Sequence, residues 1–176
     1  MKFIEYPDSE MMMMDLAQSL AGDIENALLT HDNVSFAVPG GTTPGPIFDG
    51  VCAADLAWDR VHIMLTDERW VPETSERSNT RLLRERLLVD RAAAANYVPL
   101  YTDAPTPEEG FGVLEEALAP QLPIDVMLLG MGADMHTASI FPGADKLHEA
   151  LHGDANLVPM RAPGAPEPRV TLSAKV

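Results

Sequence analysis

Apolar residues recur along the chain with two spacings, and the two alternate. Between Ser9 and Leu29, Met13, Leu16, Ala17, Leu20, Ile24, Ala27 and Leu28 mostly fall three and four apart, the period of a helix with one buried face. Asp8 or Ser9 is placed to cap its N-terminus, and Glu10 suits the positive end of the helix dipole. The consecutive methionines Met11–Met14 go round all sides of a helix, so one or two must face solvent. Their plain reading is core filling rather than a metal-binding box. Val34–Val38 is instead a short apolar run, read as a buried strand.

The alternation continues. A helix is expected over PIFDGVCAA, with Pro46 in its first turn, then a second strand over Arg60–Thr66. The leucines of SNTRLLRERLLV stand at helical spacing with arginines between them, and NYVPLY reads as a short strand. Thr106 and Glu109 form a Thr-x-x-Glu capping box at the head of the helix TPEEGFGVLEEALAPQL. IDVMLLGMG lacks polar alternation through its centre, as a parallel strand covered on both faces does. ADKLHEALHG reads as a short helix stopped by Gly153. ANLVPM and PRVTLSAKV read as weaker strands on either side of the Pro-rich RAPGAPEP.

Strands and helices in alternation specify an α/β fold: a mostly parallel sheet flanked by helices, Rossmann-like, in a single domain over residues 1–176. In such sheets ligands bind outside the carboxyl ends of the strands. Three strands run into the chemically dense segments Gly40–Thr43, Asp67–Arg69 and Asp134–Ser139. Parallel strands would bring all three to one edge.

Composition narrows the classes of function. Over 176 residues, 46% hydrophobic and 22% charged are ordinary values for a globular protein. No apolar run reaches the ~20 residues of a membrane span, and MKFIEYPDSE lacks the apolar core of a signal peptide. The lone Cys52 excludes an internal disulfide framework and fits a reducing compartment, so the expected location is the cytoplasm. A net charge of −15, from 27 acidic and 12 basic residues, argues against nucleic acid as a partner. A small anion remains compatible, because surface charges more than ~8 Å away are screened and a few local arginines can govern a pocket.

Each dense segment supports a chemical and a plainer reading. GGTTPG offers glycines for close backbone approach and hydroxyls for hydrogen bonds, an anion cradle or simply a tight turn; no G-K-[ST] follows to make a nucleotide P-loop. In LTDERW, Arg69 suits a phosphate or carboxylate, and Asp67 is a base or a holder of arginine; a solvated turn with internal salt bridges is the alternative. In GADMHTASIFPG a neutral imidazole at His136 can take a proton from water, and Asp134, two residues earlier, can bond its other nitrogen. HEALH, His148 to His152, fits the zinc-protease pattern with Glu149 as base, but its helix is short and a solvated face is the simpler reading. Ser139 lacks the G-x-S-x-G elbow of a serine hydrolase. Pattern alone does not assign Arg77, Arg81 or Arg161.

The ordered set GGTTPG, LTDERWVP with Ser78–Asn79, and IDVMLLGMGADMHTASIFPGA closely resembles the 6-phosphogluconolactonase family, from the first helix to the last residue. The third segment is specific to that family; the first two are weak alone and strong in this order. The related glucosamine-6-phosphate deaminases share the sheet and glycine loop, but their histidine segment reads differently and RWVP does not normally follow their Asp-Glu pair. The resemblance implies hydrolysis of 6-phospho-D-glucono-1,5-lactone to 6-phosphogluconate in the oxidative pentose phosphate pathway, with no metal and no organic cofactor. By position it implies His136 as base and Asp134 as its orienting carboxylate. Gly40, Gly41, Thr42 and Thr43 fall beside the sugar phosphate, Arg69 against substrate, and Arg169 at a basic position before its strand. An isomerase or deaminase, with Asp67 as base, and a non-catalytic phosphosugar-binding domain are the alternatives. Met135 stands where the family usually has glycine; a positive φ there would strain it by about 1 kcal/mol or more. Family members also continue past the point matching Val176 through another helix and strand, so a domain without that part is expected.

Overall fold

The computed structural model describes residues 2–176. Its helices are α1 (Ser9–Leu28), α2 (Gly45–Val51), α3 (Asn79–Arg86), α4 (Pro107–Leu118) and α5 (Leu147–His152). Its strands are β1 (Val34–Val38), β2 (Val61–Leu65), β3 (Asp67–Arg69), β4 (Asn96–Val98), β5 (Val126–Met127), β6 (Leu157–Met160) and β7 (Arg169–Leu172). Asp8 caps α1 by accepting from Met11 N at 2.8 Å. Ala17, Leu20 and Ile24 are buried, whereas Met11 and Met14 face solvent, as four methionines in a row require. Thr106 accepts from Glu109 N to open α4.

Four strands form the expected parallel sheet, in the order β4-β2-β1-β5. Every residue of β1 is buried, which is why the strand shows no apolar–polar alternation. Phe36, Ile63, Met64 and Leu65 of this sheet pack in one core with Ile24, Phe48, Leu83 and Leu114 from the helices. Each such side chain contributes about 1.5–3 kcal/mol relative to exposure. β5 is shorter than the run IDVMLLGMG suggests. Leu128 N still donates to Ala37 O at 2.9 Å, but Gly132 N then donates to His136 O, also at 2.9 Å. The backbone has turned to satisfy itself, and Leu129 and Met131 are exposed.

A second sheet, antiparallel and ordered β3-β7-β6, stands beside the first. The strands expected in ANLVPM and PRVTLSAKV form β6 and β7, but the sequence pattern does not announce a separate antiparallel sheet, because β3 has three residues and reads as a turn. Thr66 joins the sheets: its N donates to Val38 O at 2.8 Å and its O accepts from Leu172 N at 2.9 Å. A smaller apolar cluster of Ala150, Val158 and Met160 lies under α5 and β6. Among the described residues, no helix is long and apolar enough to cross a membrane.

Candidate active site

The three dense segments meet at a cleft of about 450 Å³. Its first wall is the loop between β1 and α2. Gly41 has φ +87°, a conformation that glycine adopts without steric strain. Gly40 is small for a different reason. A Cβ there would lie 2.0 Å from Asn79 Cγ, so its absence lets the Asn79 amide cross the loop and donate to Asp67 O at 3.0 Å. Gly40, Gly41, Thr43 and Asn79 line the cleft, and Thr42 does not.

The second wall is β3. Successive side chains of a strand point to opposite faces, so Asp67 and Arg69 reach the cleft and Glu68 turns away. Glu68 is fully buried. Its carboxylate accepts from Arg69 N, Asn79 N and Thr80 N at 2.7–2.8 Å and from the hydroxyls of Ser78 and Thr80. It thus satisfies the first N–H groups of α3, which an N-terminus otherwise leaves orphaned. The Asp-Glu-Arg triplet divides into two cleft residues and one structural carboxylate.

Arg69 and Arg169 are partners in the β3–β7 register, which sets two guanidinium groups side by side. Burial pushes the Arg169 guanidinium below its ordinary pKa; the Asp67 carboxylate opposes this shift, and Arg69 adds to it. Arg69 Nη1 donates to Arg77 O at 2.7 Å. The Nε atoms of both arginines are buried without a hydrogen-bond partner. Arg169 Nη1 lies 3.3 Å from Ser139 Oγ and 3.7 Å from Asp67 Oδ2, and Ser139 donates to Asp67 Oδ2 at 2.5 Å. Two adjacent cations, in a cleft with no lysine, make a site suited to an oxyanion.

The third wall is the loop after β5. His136 Nδ1 lies 2.5 Å from Asp134 Oδ1, and the hydrogen bond from His136 holds the Asp134 carboxyl below the ordinary carboxylate range. That bond assigns the proton to Nδ1 and leaves Nε2 as the basic nitrogen. His136 lines the cleft; Asp134 stands behind it, more than half exposed. Gly132 makes room for the ring, since a Cβ there would lie 2.3 Å from His136 Cε1. Met135 has φ +68°, the left-handed conformation that strains any residue with a Cβ.

Other candidates fall outside. Arg77 pairs with Glu167, Arg81 with Glu85 and Arg161 with Glu108, and none of the three arginines lines the cleft. The rings of His148 and His152 are 5.1 Å apart; no group of three His, Cys, Asp or Glu residues placed to hold a metal occurs among the described residues. Asn79 and Ser139 are named in the sequence motifs, but their contacts, and the capping role of Glu68, escape the sequence reading. The Gly40–Asn79 contact leaves only a glycine in one motif and an asparagine in another as its trace.

Comparison with known proteins places the sequence and the fold among its relatives. The family of glucosamine-6-phosphate isomerases and 6-phosphogluconolactonase matches residues 7–176. A 6-phosphogluconolactonase of Mesorhizobium japonicum is 42% identical over 171 residues, covering 96% of this chain and 72% of the relative. One from Rhizobium meliloti is 42% identical, covering 90% and 71%. The crystal structure of a 6-phosphogluconolactonase from Shewanella baltica superposes with a TM-score of 0.92 at 36% identity, covering 96% of this chain and 72% of that one. A monomeric glucosamine-6-phosphate deaminase shares the fold at 14% identity and a TM-score of 0.76, covering 99% and 77%.

Proposed function

The chain belongs to the glucosamine-6-phosphate isomerase/6-phosphogluconolactonase family, and we propose that it hydrolyses 6-phospho-D-glucono-1,5-lactone to 6-phosphogluconate in the cytoplasm. The observation that carries this reading is the imidazole of His136, bonded through Nδ1 to Asp134 and facing a cleft that also holds Arg69 and Arg169. A δ-lactone is an activated ester, so its hydrolysis needs no covalent nucleophile. Nε2 of His136 takes a proton from a water as the water attacks the carbonyl carbon. The resulting imidazolium keeps its Nδ1–H on Asp134, which stabilises the charge. Charge develops on the carbonyl oxygen, and a guanidinium donor aimed there lowers the barrier. The imidazolium then returns the proton to the departing ring oxygen. The remote phosphate contributes binding energy that orients the ring; the N–H groups at Gly40–Thr43 and the remaining guanidinium are the candidate partners.

The state of Asp67 favours this reading over the isomerase or deaminase one. Its carboxylate is buried, takes the Ser139 hydroxyl and lies beside Arg169, an arrangement suited to holding an arginine rather than to abstracting a proton from carbon. The test is lactone hydrolysis followed in a pH-stat, with 6-phosphogluconate as product. His136→Ala is expected to lower kcat by about 100- to 10,000-fold while 6-phosphogluconate still binds. Full activity in that variant removes the base assignment, and release of ammonia from glucosamine 6-phosphate moves the chain to the other branch.

A further inference from the structure

We propose that Phe141 is a positioning residue for the hydrolysis, one that sets the plane of the His136 imidazole and refers it to the strands carrying the two arginines. The inference rests on the lactonase reading. A hydrogen bond to Nδ1 fixes one atom of the ring, but the torsion that turns an imidazole about its Cβ–Cγ bond has a broad minimum. Something must bear on the ring face if Nε2 is to keep one direction. The Phe141 ring does so: its centroid is 4.3 Å from that of His136, with 31° between the planes. The same ring lies 5.5 Å from the Arg169 guanidinium carbon. Phe141 does not line the cleft, so it acts on substrate only through these neighbours.

The phenyl ring is itself held from the second sheet. Two residues before it, Ser139 is fully buried; its hydroxyl donates to Asp67 Oδ2 and its N–H to Thr171 Oγ1 at 3.1 Å. Phe141 N in turn donates to Ser139 O at 3.1 Å, and Phe141 O accepts from Ala144 N. Asp67 belongs to β3 and Thr171 to β7, the two strands that present Arg69 and Arg169. The base therefore inherits its position from the strands that place the cations. A flat side chain is needed because a flat ring is being held; an aliphatic residue of similar bulk fills the space without defining the plane.

Steady-state hydrolysis of the phosphogluconolactone by the parent, Phe141→Leu, Phe141→Ala and Phe141→Tyr tests this, with the ring-proton resonances of His136 recorded for each. Phe141→Leu keeps most of the volume, so it carries the test if Phe141→Ala does not fold. Loss of the aromatic ring is expected to lower kcat about 10- to 100-fold with KM within about twofold, and Phe141→Tyr to stay within about threefold of the parent. The His136 ring protons should be shifted upfield by the neighbouring ring in the parent and in Phe141→Tyr, and not in Phe141→Leu. A folded Phe141→Leu with the parent's kcat, a loss confined to KM, or an unshifted His136 resonance in the parent overturns the proposal. A parent that does not hydrolyse the lactone overturns the functional reading and this inference's premise with it, while the resonance still decides whether the rings touch.

Discussion

The two sides of the cleft are built by different means. The cations stand on strands: Arg69 and Arg169 are register partners, the Asp67 carboxylate and Ser139 hydroxyl are buried beside Arg169, and a fully buried Glu68 ties β3 to the head of α3. The base stands on a loop. His136 and Asp134 are partly exposed, Met131 and Met135 are largely in solvent, and the backbone passes through positive φ at Met135 and Ala138. Cation positions are thus fixed many times over, whereas the imidazole rests on a few contacts with Asp134, Gly132 and Phe141. Substitutions on the strand side should therefore be read in stability, and substitutions on the loop side in turnover.

Glu68→Ala should give the largest effect. It leaves the N–H groups of Arg69, Asn79 and Thr80 and two hydroxyls without their acceptor. With about 1–3 kcal/mol for each buried donor stranded, and some of them reached by water, a loss of about 3–5 kcal/mol in denaturant unfolding is expected. A loss under about 1 kcal/mol would break the comparison, because the strand side would then be no better secured than the loop.

Gly40→Ala comes next and reaches both sides. The new methyl would overlap the Asn79 side chain and break its bond to Asp67 O. Overpacking of this kind costs about 1–3 kcal/mol, and the displaced amide should intrude on the cleft. A lowered unfolding midpoint together with reduced kcat/KM is the expected result; an unchanged midpoint would mean that the loop between β1 and α2 yields freely.

Met135→Gly sharpens the comparison from the other direction. Met135 is 79% exposed, so little packing is lost, and glycine accepts φ +68° without a Cβ clash. The gain is expected to be about 0.5–1 kcal/mol, reduced by the extra freedom glycine gives the unfolded chain. Denaturant unfolding measures it, and kcat within about twofold of the parent would show that Gly132 and Phe141, not residue 135, hold the imidazole.

These contrasts also explain what the sequence disclosed. Long periodic elements were legible: α1 and β1 follow from apolar spacing, because burial of one face or of a whole strand leaves that spacing behind. The ends of β1, β2 and β5 located the cleft, since parallel strands deliver their carboxyl ends to one edge. Of the second sheet, β6 and β7 were legible as weak strands in ANLVPM and PRVTLSAKV, but β3 and the antiparallel pairing were not, because β3 is too short to show a period and the strands pair across large sequence separations. For the same reason the Arg69–Arg169 pairing, the crossing of Asn79 over Gly40 and the buried Ser139 hydroxyl could not be read. They are contacts between segments, and no local pattern records them. His136 was visible because a carboxylate two residues away is a local arrangement.

Outside both walls, Glu167 and Arg77 form a strap across the loops that flank β3 and β7, with Arg77 Nη2 donating to Glu167 Oε2 at 2.9 Å. Arg77 is half exposed, so the pair is an ordinary surface ion pair, screened by water and contributing little to stability. The hydrogen bond from Arg77 holds the Glu167 carboxyl below its ordinary value. A depressed carboxylate stabilises the fold above its unfolded pKa and loses that contribution as pH falls through the folded value. The small difference in unfolding midpoint between the parent and Glu167→Gln should therefore be constant from about pH 5 to 8, vanish in acid, and shrink in high salt. Because Arg69 Nη1 bonds the backbone oxygen of Arg77, a change in the strap reaches the strand side from outside. A Glu167→Gln variant with unchanged KM would show that β3 and β7 hold Arg69 unaided; a KM raised several-fold would make the strap part of the cation wall.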